Sequence, residues 1–276
     1  MRRVLALSSY VARGAVGLQA SLPPLRQLGI DVIGLPTILL SNHPGHARFA
    51  GAAVAPDLLA DMIEALEANG WLCDVDAVLT GYLPTAAHAA LAREMVERVR
   101  KQSPCATYLC DPVLGDDPDG LYIARAAAEA VRDQLVPIAD VITPNRFELA
   151  WLSGRDVTGP ESAFAAARAL TDARVAATSI ADGPDRLANL FVTPSATWVC
   201  RSERLADVPH GTGDLFAGLL LASLTSGATD NAALACATGG VAFAVQRSQG
   251  AQDLAMSGLT WTADEIIPHD VIKWQP

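Results

Sequence analysis

Chemistry is suggested first by one stretch: Val208, Pro209, His210, Gly211, Thr212, Gly213 and Asp214, followed at once by an apolar run from Leu215 to Leu224. Glycines ahead of such a run describe a tight turn feeding a buried helix. The first amides of a helix have no intrahelical acceptor, and its dipole is positive at that end. An end of this kind holds anions, phosphate above all. Asp214 would then stand beside an anion site, where a carboxylate is either a helix cap or a base. Thr and Asp at a helix start are caps in most proteins, so the turn alone leaves both uses open.

Other polar groups recur where predicted strands end: Ser9, Gly81 with Tyr82, Asp111, Thr143 with Asn145 and Glu148, and Thr178 with Ser179. In a parallel α/β sheet those ends share one edge and face one crevice. Each has a bland alternative. Ser9 suits a loop or a helix cap, and Asn145 with Glu148 has the spacing of a capping box. Asp111 suits a strand-end carboxylate on the turn made by Pro112, and Thr178 with Ser179 suits a loop before Asp182 and Gly183. As a set they match phosphoryl transfer, in which the protein positions a nucleotide phosphate, neutralises it and presents a base to the acceptor hydroxyl. Gly211, Thr212 and Gly213 would supply the amide cradle, Asp214 the base, and Asp111 and Glu148 would arrange metal and water. The sequence lacks a G-x-x-x-x-G-K-[ST] loop, a G-x-G-x-x-G after its first strand and a G-x-S-x-G elbow. These absences argue against P-loop, dinucleotide-binding and hydrolase chemistry.

The elements that must position these groups alternate. Strands are predicted at 4–7, 31–35, 38–40, 76–80, 106–110, 141–142 and 174–178, with a hairpin of 187–193 and 197–201 around Pro194 and Ser195. Helices are predicted at 56–69, 85–101, 122–135, 161–171, from the glycine turn to about 226 and from 229 toward 246, with a possible short helix near Asp264. In the 56–69 helix, Leu58, Leu59, Met62, Ile63 and Leu66 form the apolar stripe. Residues 14–28 carry leucines at helical spacing, but Pro23 and Pro24 should interrupt a single helix, and Pro36 should break the second strand. Residues 41–49 form a polar loop whose His43 and His46 read as surface histidines. The pattern predicts an α/β fold with a doubly wound, mainly parallel central sheet, helices on both faces, and one domain over 1–276.

The composition fits. The 276 residues are 51% hydrophobic and 18% charged, with a formal net charge of −10, which disfavours a nucleic-acid surface. Cys73, Cys105, Cys110, Cys200 and Cys236 show no metal-ligand spacing and read as free thiols in a reducing compartment. The basic start has too short an apolar run for a secretory leader, and the uncharged stretch 231–246 is too short for a membrane span. A cytoplasmic location is expected.

The segment from Gly211 to Gly218 resembles the anion-hole signature of the ribokinase-like superfamily. Within it the chain is similar to the pyridoxal kinases over nearly its full length. The matching residues are Ser9 with Gly14, Ser41 to His43, Thr80 to Tyr82, Cys110 to Asp116, Ile142 to Glu148, and Thr178 with Ser179, in order and spacing. The resemblance implies ATP-dependent phosphorylation of the 5′-hydroxymethyl group of pyridoxal, and of pyridoxine and pyridoxamine, with Mg²⁺ and a monovalent cation, K⁺ or Na⁺. It implies that Asp214 takes the hydroxyl proton, Ser9 bonds the ring nitrogen, Tyr82 packs near the ring, and a loop over 36–50, centred on His43, Pro44 and Gly45, covers the substrate. Asp111, Asn145, Glu148, Thr178, Ser179 and Thr212 fall at nucleotide and metal positions, Asp116 and Thr143 at the monovalent-cation site, and Leu205 and Asp207 beside the adenine. A homodimer is implied as well. One departure stands out: the family commonly has threonine after Ser-Asn-His, whereas Pro44 and Gly45 follow here, removing a hydroxyl and stiffening the loop. A hydroxymethylpyrimidine kinase, a non-catalytic B6-binding protein, and a nucleoside or sugar kinase are the competing readings.

Overall fold

Strands and helices alternate along the chain in a computed structural model that describes residues 1–205, 208–248, 250–256, 258, 259, 261 and 270–275. In order they are β1 (Arg3–Val11), α1 (Leu18–Gln27), β2 (Asp31–Leu40), β3 (Gly51–Ala53), α2 (Pro56–Ala68), β4 (Ala77–Thr80), α3 (Ala86–Gln102), β5 (Thr107–Cys110), β6 (Gly115–Asp116) and β7 (Gly120–Leu121). There follow α4 (Arg125–Ala130), β8 (Val141–Ile142), α5 (Arg146–Ser153), α6 (Pro160–Leu170), β9 (Arg174–Ala181), β10 (Arg186–Val192), β11 (Thr197–Glu203), α7 (Thr212–Thr225), α8 (Asp230–Arg247) and β12 (Val271–Trp274). The sheet runs β12-β11-β10-β9-β8-β5-β4-β1-β2-β3. From β9 across to β2 the pairs are parallel, while β3 and the β10-β11-β12 wing are antiparallel.

Alternation within the strands sorts the core into two layers. Leu5, Leu7, Val78, Tyr108, Cys110 and Ile142 pack on one face with α2 to α6. Val4, Ala6, Leu79, Leu109 and Val141 pack on the other with α1, α7 and α8. Successive side chains of a strand point to opposite faces, and strands covered on both sides read as continuous apolar runs. Helix α7 is buried on nearly every side, from Leu215 through Ser223, because it lies between α1, α8 and the sheet. That explains a segment apolar all round rather than on one stripe.

Several expectations are corrected. Helix α1 continues through Pro23 and Pro24. Proline's φ is already helical, and Leu22, Pro24 and Leu25 are buried, so packing compensates for the lost backbone bonds. β2 runs unbroken through Pro36, with an irregularity between Ser8 and Tyr10 on its β1 partner. β1 itself extends to Val11, which puts Ser9 in a strand rather than a loop. The 56–69 stripe splits: Leu59 and Ile63 are buried, while Leu58 is 53% and Met62 38% exposed. The 122–135 helix begins only at Arg125 and ends in a π turn, Val131–Leu135, and a 3₁₀ turn. Ser179 lies inside β9 rather than in a loop after it. The helix expected near Asp264 falls outside the described residues. Among the described residues no helix is long and apolar enough to cross a membrane, and the five cysteines are free.

Candidate active site

The parallel strands end level with one another. Leu7 pairs with Thr80, Thr80 with Cys110, and Cys110 with Ile142. The next residue on each strand therefore falls on the same edge. Backbone bonds carry that level one step further: Gly81 N–H donates to Leu7 C=O at 2.9 Å, Asp111 to Thr80 at 2.8 Å and Thr143 to Cys110 at 3.2 Å. Ser8, Gly81, Asp111 and Thr143 thus line a common rim, where open α/β sheets place ligands.

The glycine turn closes over this rim. Gly211 is the N-cap of α7 with φ 97°, a left-handed backbone, and the helix has no side-chain cap. A Cβ at Gly211 would overlap the Ala15 carbonyl. The position therefore requires glycine for both its conformation and its contact. Thr212, Gly213 and Asp214 occupy the first three helical positions, so their amides have no partner within the helix. Asp214 is partly buried, and its carboxylate would stand 3.9 Å from a Cβ placed on Gly81. Burial raises its pKa to about 6, against the opposing pull of the Gly17 amide. Gly17 in turn leaves room for Ser9, whose carbonyl and hydroxyl a Cβ there would overlap.

Asp111 is buried, and the Thr143 hydroxyl donates to its Oδ1 at 2.7 Å. Burial first, then the neighbouring charges of Asp214 and Glu148, push its pKa well above the usual carboxylate range. Glu148 is raised to about 8 by burial, against backbone donation from Asn145, Leu114 and Gly115. Asp111, Glu148 and Asp214 therefore form one electrostatically coupled group. Their shared deficit is of positive charge, the condition that hard cations relieve. Among the described residues no three carboxylate, histidine or cysteine side chains form a ready-made metal cage. That donor set suits Mg²⁺, which takes one or two carboxylates together with substrate phosphates and water.

Asn145 and Glu148 do form the capping box that their spacing allowed. The Asn145 side chain accepts from Glu148 N–H at 2.9 Å, and Glu148 Oε2 accepts from Asn145 N–H at 2.8 Å. Glu148 Oε1 also accepts from Leu114 N–H at 2.9 Å, and Asn145 Nδ2 donates to Gly115 C=O at 2.8 Å. The box thereby locks the Asp111–Asp116 segment to α5. Thr178 reaches the same edge through its N–H on the Pro144 carbonyl, 2.9 Å. Ser179 has φ 58° and its N–H donates to Asn189 Oδ1 at 3.2 Å, where the β9–β10 register shifts.

Asp116 is exposed on the β6–β7 hairpin and accepts from Asp117 N–H, whereas Thr143 Oγ1 is engaged by Asp111. The two therefore share no hydrogen bond. Leu205 is 36% exposed, and Asp207 lies outside the described residues. Tyr82 is half-buried beside the rim, and burial raises its phenol. His43 and His46 are not free surface residues: His43 stacks on His210 with centroids 3.9 Å apart, and His46 Nε2 meets Asp253 Oδ1 at 3.2 Å. Pro44 and Gly45 are exposed at the same loop.

Two residues that hold the site escaped the sequence reading. Ser8, 2% exposed, accepts from Tyr82 N–H at 3.1 Å, and fully buried Thr37 donates to Tyr82 C=O at 2.7 Å. Together they fix the Gly81–Tyr82 turn from both sides. The available signal was a hydroxyl inside an otherwise apolar strand, which a burial argument flags as needing a partner.

Known proteins resemble this arrangement. The family profile described as phosphomethylpyrimidine kinase matches residues 13–256. Pyridoxal kinase PdxY of Leifsonia xyli subsp. xyli is 37% identical over 227 residues, 80% of each chain. The pyridoxal kinase of Homo sapiens is 35% identical over 240 residues, 80% of this chain and 76% of that one. The structure of pyridoxal kinase from Leishmania donovani in complex with ADP and pyridoxine superposes with a TM-score of 0.87 at 29% identity, covering 99% of both chains.

Proposed function

The chain belongs to the pyridoxal kinase family, and from that premise we propose that it transfers the γ-phosphoryl group of ATP to the 5′-hydroxyl of pyridoxal, and of pyridoxine and pyridoxamine. The observation that carries the reading is Asp214 on the first turn of α7, next to the uncapped glycine turn and over the strand-end rim. The relatives named pyridoxal kinase and the complex with ADP and pyridoxine support the same substrate class.

Asp214 accepts the proton of the acceptor hydroxyl as that oxygen bonds the γ-phosphorus and the bond to the β–γ bridging oxygen breaks, releasing ADP. With a pKa near 6 it is ionised at neutral pH yet basic enough to take the proton. The free amides of Thr212, Gly213 and Asp214 meet the charge on the transferring group. Mg²⁺ would be held by Asp111 or Glu148 with the phosphates, and when bound it neutralises phosphate charge. Ser9 and Tyr82 are assigned to the acceptor ring, with the loop around His43, Pro44 and Gly45 covering it. Asn145, Thr178, Ser179 and Leu205 are assigned to the nucleotide side. A monovalent cation is assigned to Asp116 and Thr143. We read residues 1–276 as one domain acting in the cytoplasm as a homodimer; exposed Leu58, Met62 and Trp71 support the self-association alone.

The test is ATP-dependent phosphorylation measured side by side on the three B6 vitamers and on hydroxymethylpyrimidine, the substrate that the matching profile favours as a competitor. Pyridoxal should lead. A clear preference for the pyrimidine would overturn the assignment.

A further inference from the structure

His210 directly precedes the glycine turn, and nothing in the transfer chemistry requires it. Its ring stacks on His43 at 3.9 Å with an interplanar angle of 24°. The His43 ring is itself oriented, because its Nδ1 accepts from Gly45 N–H at 3.0 Å. That bond places the ring proton of a neutral His43 on Nε2. Burial and the neighbouring His210 hold His43 down to about 4, so it is neutral at working pH. The fit is close: a Cβ on Gly45 would stand 2.9 Å from His43 Nδ1 and 3.3 Å from His210 Nε2. A second tie holds the same loop, His46 Nε2 to Asp253 Oδ1 at 3.2 Å, with Arg13 3.6 Å from Asp253 Oδ2.

We infer that His210 is a positioning residue that clamps the 41–50 loop onto the glycine turn through its stack on His43, and so sets affinity for the acceptor. The inference rests on the acceptor role proposed for that loop. It follows from connectivity: the stacked ring belongs to the residue bonded to Gly211, so loop and anion cradle are joined side chain to backbone. The nucleotide residues on α5 and β9 take no part in this stack, and the cradle amides are set by the left-handed Gly211 backbone itself, so the KM for ATP should not follow it.

The experiment compares His210→Ala and His210→Phe with the unaltered chain. Loss of the stack should raise the KM for pyridoxal by about three- to tenfold, the span expected for an aromatic pair of this kind, with kcat and the KM for ATP unchanged. Phe, which stacks without ring nitrogens, should restore it. Trypsin cleavage after exposed Arg48, followed without any substrate, should accelerate in the Ala variant and not in the Phe variant. An unchanged pyridoxal KM and unchanged cleavage in the Ala variant would overturn the clamp. So would an equal rise in both KM values, or a Phe variant no better than Ala. If the unaltered chain does not phosphorylate pyridoxal at all, the functional assignment fails, and the proteolysis comparison still decides whether the clamp exists.

Discussion

Two helices of this protein start with the same spacing of N-cap and acid and are put to different uses. In α5 the N-cap is Asn145 and the acid three residues on is Glu148; in α7 the N-cap is Gly211 and the acid three residues on is Asp214. Asn145 and Glu148 satisfy one another's backbone amides, so those amides are closed to an anion and the helix start serves as a strut for the Asp111–Asp116 segment. Gly211 has no side chain to offer, so the amides behind it stay free and the Asp214 carboxylate is not consumed by capping. Charge follows the same division. Glu148, buried in the first turn of α5, is held near 8, and Asp214, at the open rim, near 6. At α7 the withheld cap leaves free amides beside a free carboxylate.

The sharpest way to break this comparison is Asp214→Asn. Turnover should fall by about 10²–10⁴-fold, the usual contribution of a positioned general base, with ATP binding by calorimetry retained. In the unaltered enzyme kcat/KM should decline as pH drops through about 6, where the base protonates. That acid limb should vanish from the residual activity of the variant. Full activity in Asp214→Asn would return the residue to a plain cap.

Gly211→Ala should come next in size. It forces a left-handed backbone on a residue with a Cβ, worth at least ~1–2 kcal/mol, and adds the overlap with the Ala15 carbonyl. A lower melting temperature and weakened ATP binding are expected together. The equivalent exchange Gly213→Ala, where a Cβ meets nothing within 4 Å, should leave the melting temperature nearly unchanged.

The smallest effect is expected from Glu148→Gln, since glutamine keeps an acceptor for the Asn145 amide and gives up only the bond from Leu114 N–H. In the metal-free protein Glu148 has a folded pKa near 8 against an ordinary value of 4.5. Its contribution to stability is intact below 4.5 and is lost as pH rises toward 8. Urea unfolding between pH 5 and 8 should show that decline, and Glu148→Gln should reduce it, leaving the share of Asp111 and Asp214. A slope unaffected by the substitution would remove Glu148 as its source.

Much of this was legible in the chain. Continuous apolar strands alternating with helices announced a doubly wound parallel sheet, because strands covered on both faces leave no polar side to show. Gly211 to Asp214 and the strand-end residues were legible because local backbone chemistry and strand polarity are both one-dimensional signals. Where local rules were applied alone they misled: Pro23 and Pro24 do not break α1, since the packing of Leu22, Pro24 and Leu25 compensates, and β2 passes through Pro36 where its register with β1 shifts. Ser8 and Thr37 stayed hidden because each looks like an isolated hydroxyl until Tyr82, far along the chain, is brought between them. His43 read as a surface residue because its partner, His210, is distant in sequence. The chain by itself thus determined the layers, the glycine turn and the set of acids. Only the tertiary structure decided which acid is spent on capping and which is left to act. Burial, long-range hydrogen bonds and the field of neighbouring carboxylates are properties of residues that meet only after folding.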